Sequence, residues 1–278
     1  MPALDVIEAG VASDLELDVI GGAAGSIRAL LAVAIGSGVG RAAELAVACG
    51  DRLLARAENV GDGVGWRIPG STRPLAGYAH GTSGIAVSLL ALTAYTGEPR
   101  FAAAAHRAFV FERSLFSSET RNWLDLRFAP GEGAGGAGGA GESVAWCHGA
   151  AGIGLARVHA LRAMDDASLA EDLAIAVETT RARGFGASHC LCHGDLGNLE
   201  LLFADAEHRG DPVAMDHARR LASSIAASVQ VRPLCGNPHR IETPGLLTGL
   251  AGIGYGLLRI ADSRVPSALT LEPPRESR

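Results

Sequence analysis

Positive charge is not in excess in this sequence: 24 Lys and Arg stand against 30 Asp and Glu, for a net charge of -6. A polyanionic partner calls for a basic face, so this balance argues against nucleic acid and against an anionic membrane surface. No apolar run suits a bilayer span. The longest, residues 245–258, is interrupted by glycine and falls short of the ~20 residues a transmembrane helix needs. The amino end, Met1-Pro2-Ala3-Leu4-Asp5, lacks a basic segment followed by an apolar one, so no secretory signal is read there. Cysteines are few and odd in number, at five. Without an export signal the chain reads as cytoplasmic, where thiols stay reduced and clustered Cys points to metal binding or catalysis rather than disulfides. Aromatic residues are scarce at 5%, too few to line a large aromatic cavity.

Glycine, by contrast, is abundant: 37 of 278 residues, where about 7% is usual. There is no collagen period. Instead, five Gly-x-x-Gly turns recur, with first glycines at 22, 81, 149, 194 and 249. This is an internal repeat with variable connections. An apolar helical run follows each turn, such as 27–35, 85–92 and 253–260; helices apolar nearly all round are buried on most sides. Between them lie amphipathic helices with a charged face, over 41–58, 99–116, 168–183 and 212–229. Inner and outer helices in alternation predict an all-α fold, an α/α toroid or double-layered helical barrel, in one domain spanning 1–278. The inner helices would point their amino ends to one mouth, where the helix dipole favours anions such as thiolates. Residues 60–72 read as a loop or short hairpin, 131–141 as a mobile Gly/Ala loop leading toward the site, and 270–278 as a frayed tail.

Two of the turns carry the chemistry. Trp146-Cys147-His148-Gly149 and Leu191-Cys192-His193-Gly194 each place a Cys-His pair immediately before Gly-x-x-Gly. Cys and His hold zinc, and two Cys with one His leave a fourth position open. Adjacent Cys-His is not a standard zinc-finger pair, and free cysteines are commonly just buried. The repeat nevertheless brings both cysteines to the same mouth.

These motifs, with Asp18-Val19-Ile20 and Ala79-His80-Gly81 in order ahead of them, resemble the lanthionine synthetase cyclases, the LanC-like family. The stretch 191–200 and the end of the chain, 265–274, resemble the cyclase half of the fused class II (LanM-type) synthetases. The resemblance implies that Cys147, Cys192 and His193 are the zinc ligands and that a cysteine of a dehydrated precursor peptide takes the fourth position. Its thiolate would add to a dehydroalanine or dehydrobutyrine, closing a lanthionine or methyllanthionine ring. His80 matches the family's catalytic His; on the residues alone it is an acid/base candidate or a core His at a helix start. Asp18 matches an Asp thought to assist proton transfer; on the residues alone it could bond locally to the backbone.

Other candidates read as supporting. Cys190, two residues from Cys192 in an extended lead-in, should point away from it. His148 has no ligand role in the resemblance and could sit behind the ligands. Cys49 falls on the apolar face of an outer helix with Leu45 and Leu53, and Asp195 sits within a turn as a structural residue. Stand-alone cyclases carry an Arg shortly before Trp-Cys; here 142–145 read Glu-Ser-Val-Ala, and Arg127 is a possible substitute. Competing functions are a zinc prenyltransferase-like toroid, disfavoured by the few aromatics, and a toroidal glycosidase, which needs two acidic groups at the mouth. A zinc and thiol (glutathione-like) binding protein, or an inactive remnant of a larger synthetase, is the non-enzymatic alternative. Because Asp18 comes so early compared with the family's order of helices, the ring is expected to lack opening helices at its amino end, supplied with a dehydratase domain or chain upstream.

Overall fold

The computed structural model describes residues 2–127 and 143–271. The Gly/Ala run 131–141 and the tail beyond 271 lie outside the described residues. Ten helices are present among those described: α1 (Pro2–Val11), α2 (Ala23–Ser37), α3 (Gly40–Arg56), α4 (Thr82–Thr96), α5 (Pro99–Arg113), α6 (Ala150–Leu161), α7 (Ala167–Arg183), α8 (Asp195–Arg209), α9 (Pro212–Val231) and α10 (Leu250–Ala261). Two short antiparallel pairs complete the set, β1 (Glu58–Val60) with β2 (Gly63–Gly65), and β3 (Phe116–Ser117) with β4 (Asn122–Trp123). The hairpin expected over 60–72 thus occupies its first half and begins slightly earlier. Helix α1 and the β3–β4 pair were not anticipated.

The even-numbered helices each follow a Gly-x-x-Gly turn, and each packs on the next, α2 on α4, α4 on α6, α6 on α8 and α8 on α10. Helices α3, α5, α7 and α9 lie behind them as an outer layer, with α1 against α3. Among the described residues no comparable helix packing joins α10 back to α2. The segment after α10 reaches α2 instead: Arg28 Nε donates to the Thr270 carbonyl at 3.1 Å. Thr270 is therefore buried, not frayed as expected.

Burial separates the layers. Helices α4 and α6 are enclosed over most of their surface, whereas α10 leaves Leu250 and Leu258 exposed. Of the outer helices, α7 and α9 carry side-chain caps, whereas α3 and α5 start without one. Asp211 accepts from the amides of Val213 and Ala214 ahead of α9, and Asp166 accepts from Ser168 ahead of α7. Inner helices begin with glycine and no side-chain cap. In three of them a backbone carbonyl seven residues upstream takes the first amide: Thr82 N donates to Leu75 O at 2.9 Å, Asp195 N to Ser188 O at 2.8 Å and Leu250 N to Thr243 O at 2.7 Å; in α2 and α6 a side chain from further away does so, Asp14 Oδ2 for Ala23 N (2.8 Å) and Asn122 Oδ1 for Ala150 N (3.0 Å).

That capping explains the repeat. The chain entering each turn runs so close to the first helical turn that a side chain on the second glycine has no room. A Cβ on Gly25, Gly84, Gly152, Gly197 or Gly252 would lie 1.7–2.1 Å from the carbonyl oxygen six residues before it. The lead-ins are also joined to one another. Val19 N donates to Ala79 O (3.1 Å), Ala79 N to Cys147 O (3.3 Å), Cys147 N to Cys192 O (3.2 Å) and Cys192 N to Leu247 O (2.9 Å). This backbone belt brings the amino ends of all five inner helices to one mouth.

Two alanine substitutions separate packing from helix propensity. Gly197→Ala should destabilise by about 2 kcal/mol or more, since overpacking costs ~1–3 kcal/mol and here the obstacle is backbone. Gly254→Ala, on α10 with nothing within 4 Å of the added carbon, should stabilise by about 0.5–1 kcal/mol. Urea denaturation of the two variants would settle both, and equal effects would refute the close-approach account.

Candidate metal centre

Cys147, Cys192 and His193 come together at this mouth. One ligand atom from each lies within 4.8 Å of the other two. Cys147 is buried, Cys192 is half-buried, and His193 reaches solvent. The two sulfurs belong to adjacent links of the belt, so one backbone hydrogen bond sets their spacing. They also share a hydrogen bond between themselves. It pulls the Cys147 thiol below the usual range and pushes Cys192 up, so the pair sheds a first proton readily and keeps the second. His193 is pushed up to about 10, first by its bond to Cys147 and then by Cys190.

A loop after α9 holds His193 from behind. Its Nε2 donates to the Gly236 carbonyl at 2.6 Å, so that once the ring is neutral Nδ1 is the lone-pair nitrogen. The loop is tied in place by Gly236 N to Thr248 O (2.8 Å), His189 N to Leu234 O (2.8 Å) and Leu234 N to His189 Nδ1 (3.0 Å). Cys190 does not point away. Its sulfur bonds the Ser188 hydroxyl, and a Cβ placed on Gly236 would touch both this sulfur and the His193 ring. Residues 188–193 run through a bend into a turn at 191–193 and form no strand, so the alternation assumed for an extended lead-in does not hold. Cys190 still stands outside the group of three.

Beside the cluster sits a second pair. His80 Nδ1 lies 2.7 Å from Asp18 Oδ2. The other Asp18 oxygen accepts from the amides of Ile20 (2.9 Å) and Gly21 (2.8 Å). Asp18 therefore bonds the local backbone with one oxygen and the His80 ring with the other. The hydrogen bond that His80 donates to Asp18 raises the His80 pKa against the opposing effect of burial, and the nearby Cys147 charge adds to it. Asp18 is 2% exposed and His80 38%, so the imidazole faces the mouth while its partner is enclosed.

His148 stacks on His80, ring centroids 5.7 Å apart. Burial lowers its pKa; Nδ1 is 3.2 Å from the Ala76 carbonyl and Nε2 has no hydrogen-bond partner. Arg127 is held by Asp125 through Nε (2.9 Å) and Nη2 (2.6 Å), and Ser143 donates to the same carboxylate. Burial opposes its charge, but Asp125 and then the fields of Cys147 and Cys192 hold it protonated, which places Arg127 within electrostatic reach of both thiols. Cys49 is core in α3, its thiol pushed up to about 11 by burial, and Asp195 accepts the Gly186 amide. A cavity of about 600 Å³ lies elsewhere, toward the far ends of α6, α8 and α10, and none of these site residues line it.

The lanthionine synthetase C-like description matches residues 3–270. The chain belongs to that family. Among curated proteins it is similar to the lacticin 481/lactococcin biosynthesis protein LcnDR2 of Lactococcus lactis subsp. lactis, 28% identical over 198 residues, which are 66% of this chain and 20% of that protein. The chain thus spans about a fifth of the length of this curated relative. Among solved structures, nisin cyclase superposes with a TM-score of 0.50 at 20% identity, over 71% of this chain and 50% of that one. A sugar epimerase from a ruminal bacterium superposes with a TM-score of 0.60 at 12% identity, over 78% and 61%. Both likenesses concern the fold. No helix among the described residues of this LanC-like chain is long and apolar enough to cross a membrane.

The Asp18–His80 bond gives a titration test. In metal-free protein, His80 should titrate above its ordinary ~6.5, and Asp18→Asn should lower it while an amide oxygen keeps the backbone contacts. Because the folded pKa is the raised one, the pair's stabilisation is complete below the unfolded value and fades as pH climbs through the folded value. Asp18→Asn should then cost more stability near about pH 5.5 than near about pH 8. NMR titration and parallel denaturation curves measure both; a pH-independent loss would contradict the pairing.

Proposed function

We propose that this protein is a zinc-dependent peptide cyclase that forms lanthionine or methyllanthionine rings. Its substrate is a dehydrated precursor peptide, supplied by a dehydratase acting as an upstream domain or partner chain. The thiol of a peptide cysteine loses its proton and adds to the β-carbon of a dehydroalanine or dehydrobutyrine in the same peptide; the resulting enolate takes a proton at Cα. The observation that carries this reading is the meeting of the Cys147–Cys192–His193 cluster and the Asp18–His80 pair at one mouth, in a LanC-like chain.

The donor set fits zinc. Two thiols and an imidazole within 4.8 Å of one another are compatible with a tetrahedral ion whose ligands lie about 3.5–4 Å apart. The other nitrogen of His193 meets a carbonyl, as is usual for a ligand imidazole. When bound, zinc supplies the charge that keeps an incoming thiol deprotonated and an open fourth position to hold it. The chain's own residues do the rest. His80, oriented through Nδ1 by Asp18, has Nε2 available to accept the thiol proton and return one to Cα. Asp18 stabilises the imidazolium between those events. Arg127, fixed by Asp125, provides a positive field for the enolate oxygen.

Purified protein should carry about one zinc with two sulfur and one nitrogen protein ligands by X-ray absorption. Cys192→Ala should lose the metal and Cys190→Ala should keep it, as read by elemental analysis. His80→Ala should retain zinc and fold but close rings ~10²–10⁴-fold more slowly on a dehydrated, cysteine-containing peptide. Activity within a few-fold of wild type would reduce His80 to a structural residue. Peptide binding without closure by the wild type would support a zinc and thiol binding protein instead.

A further inference from the structure

Behind the turn that carries His80 lies an ionic cluster that the chemistry above does not use. Glu112 on α5 and Arg157 on α6 are fully buried. Arg157 Nη1 donates to Glu112 Oε2 at 2.8 Å, and its Nε donates to Asp172 Oδ2 on α7 at 3.1 Å. Arg113 Nη1 meets the other Asp172 oxygen at 2.6 Å, and the Arg157 guanidinium lies 4.6 Å over the Phe109 ring. Taking such groups out of water is costly, and apolar side chains of similar volume often stabilise a fold as well. Stability alone is thus a weak reason for the cluster.

The hydrogen bonds of Glu112 supply another. Its Oε1 accepts the Gly77 amide at 2.9 Å, and its Oε2 accepts the Ser83 hydroxyl. His80 stands midway between these two residues. From the opposite side the same turn abuts the metal cluster: Ala79 N donates to Cys147 O, and a Cβ on Gly77, at φ +109°, would lie 2.6 Å from that oxygen. One carboxylate therefore holds both ends of the His80 turn against the segment bearing Cys147. We infer that Glu112, oriented by Arg157, is a positioning residue for His80. This rests on the reading of His80 as the proton carrier.

The test replaces the charge pair by apolar side chains, Glu112→Leu with Arg157→Met, leaving Arg113 to pair with Asp172. The double variant should fold and hold wild-type zinc, with KM within about twofold and kcat down about tenfold or more, since small misplacements of a reacting group are expensive. Amide exchange by mass spectrometry should quicken about tenfold over 77–84 and stay unchanged over 190–197. Wild-type kcat and exchange in a folded, zinc-loaded double variant would overturn the inference. Should that variant not fold, Ser83→Ala removes one hold without touching a charge; it should lower kcat about threefold and quicken exchange over 77–84. Unchanged values there would overturn it equally. Should the wild type close no ring, the proposed function fails, and exchange over 77–84 alone decides whether Glu112 holds the turn.

Discussion

The structure depends on a chain of backbone hydrogen bonds across the mouth of the helical layer. Each link joins the lead-in of one inner helix to the lead-in of the next, and Cys147 and Cys192 are both carried by links. The bonds are short-range and directional, so they fix the separation of Cys147 and Cys192 more tightly than side-chain packing could. They also require the chain to lie flat against each helix start. That requirement excludes a Cβ at the second glycine of every turn. The glycine excess, the parallel inner helices and the thiol spacing are three views of one constraint.

Electrostatics at the mouth follows from the same geometry. Helix amino ends converge there, Arg127 adds a fixed positive charge, and His193 is held protonated in the absence of metal. The field favours a first thiolate in the pair, at Cys147, while the second thiol keeps its proton. Asp18 is enclosed nearby, yet it spends its charge on two amides and one imidazole and does not compete for the cluster.

Much of this was legible in the sequence because the repeat is local. Gly-x-x-Gly followed by an apolar run marks α2, α4, α6, α8 and α10, and amphipathic period marks α3, α5, α7 and α9 to within a few residues. The position of each Cys before its turn pointed Cys147 and Cys192 to one mouth, and the family resemblance singled out His193 beside them; the three do lie together. What stayed hidden depends on distant or irregular segments. The Gly236 carbonyl comes from a loop 43 residues after His193 with no motif of its own. Cys190 was misplaced because strand alternation was applied to a turn. Helix α1 carries an apolar spacing in Leu4, Ile7 and Val11, a signal that could have found it. Glu112 and Arg157 sit within helical patterns, and nothing in the sequence distinguishes a buried ion pair from a solvated one.

The belt also changes what a bound ion would mean for the fold. Cys147 belongs to the α6 hairpin and Cys192 with His193 to the α8 hairpin, so their common ion would span a boundary between repeats. In a layered repeat protein, stability is set largely by such nearest-neighbour boundaries. An ion held only when the two hairpins are docked adds its binding free energy to that docking. Cooperativity of unfolding would then become a function of free metal concentration, with a bound ion tightening the α6–α8 boundary beyond what helix packing alone provides.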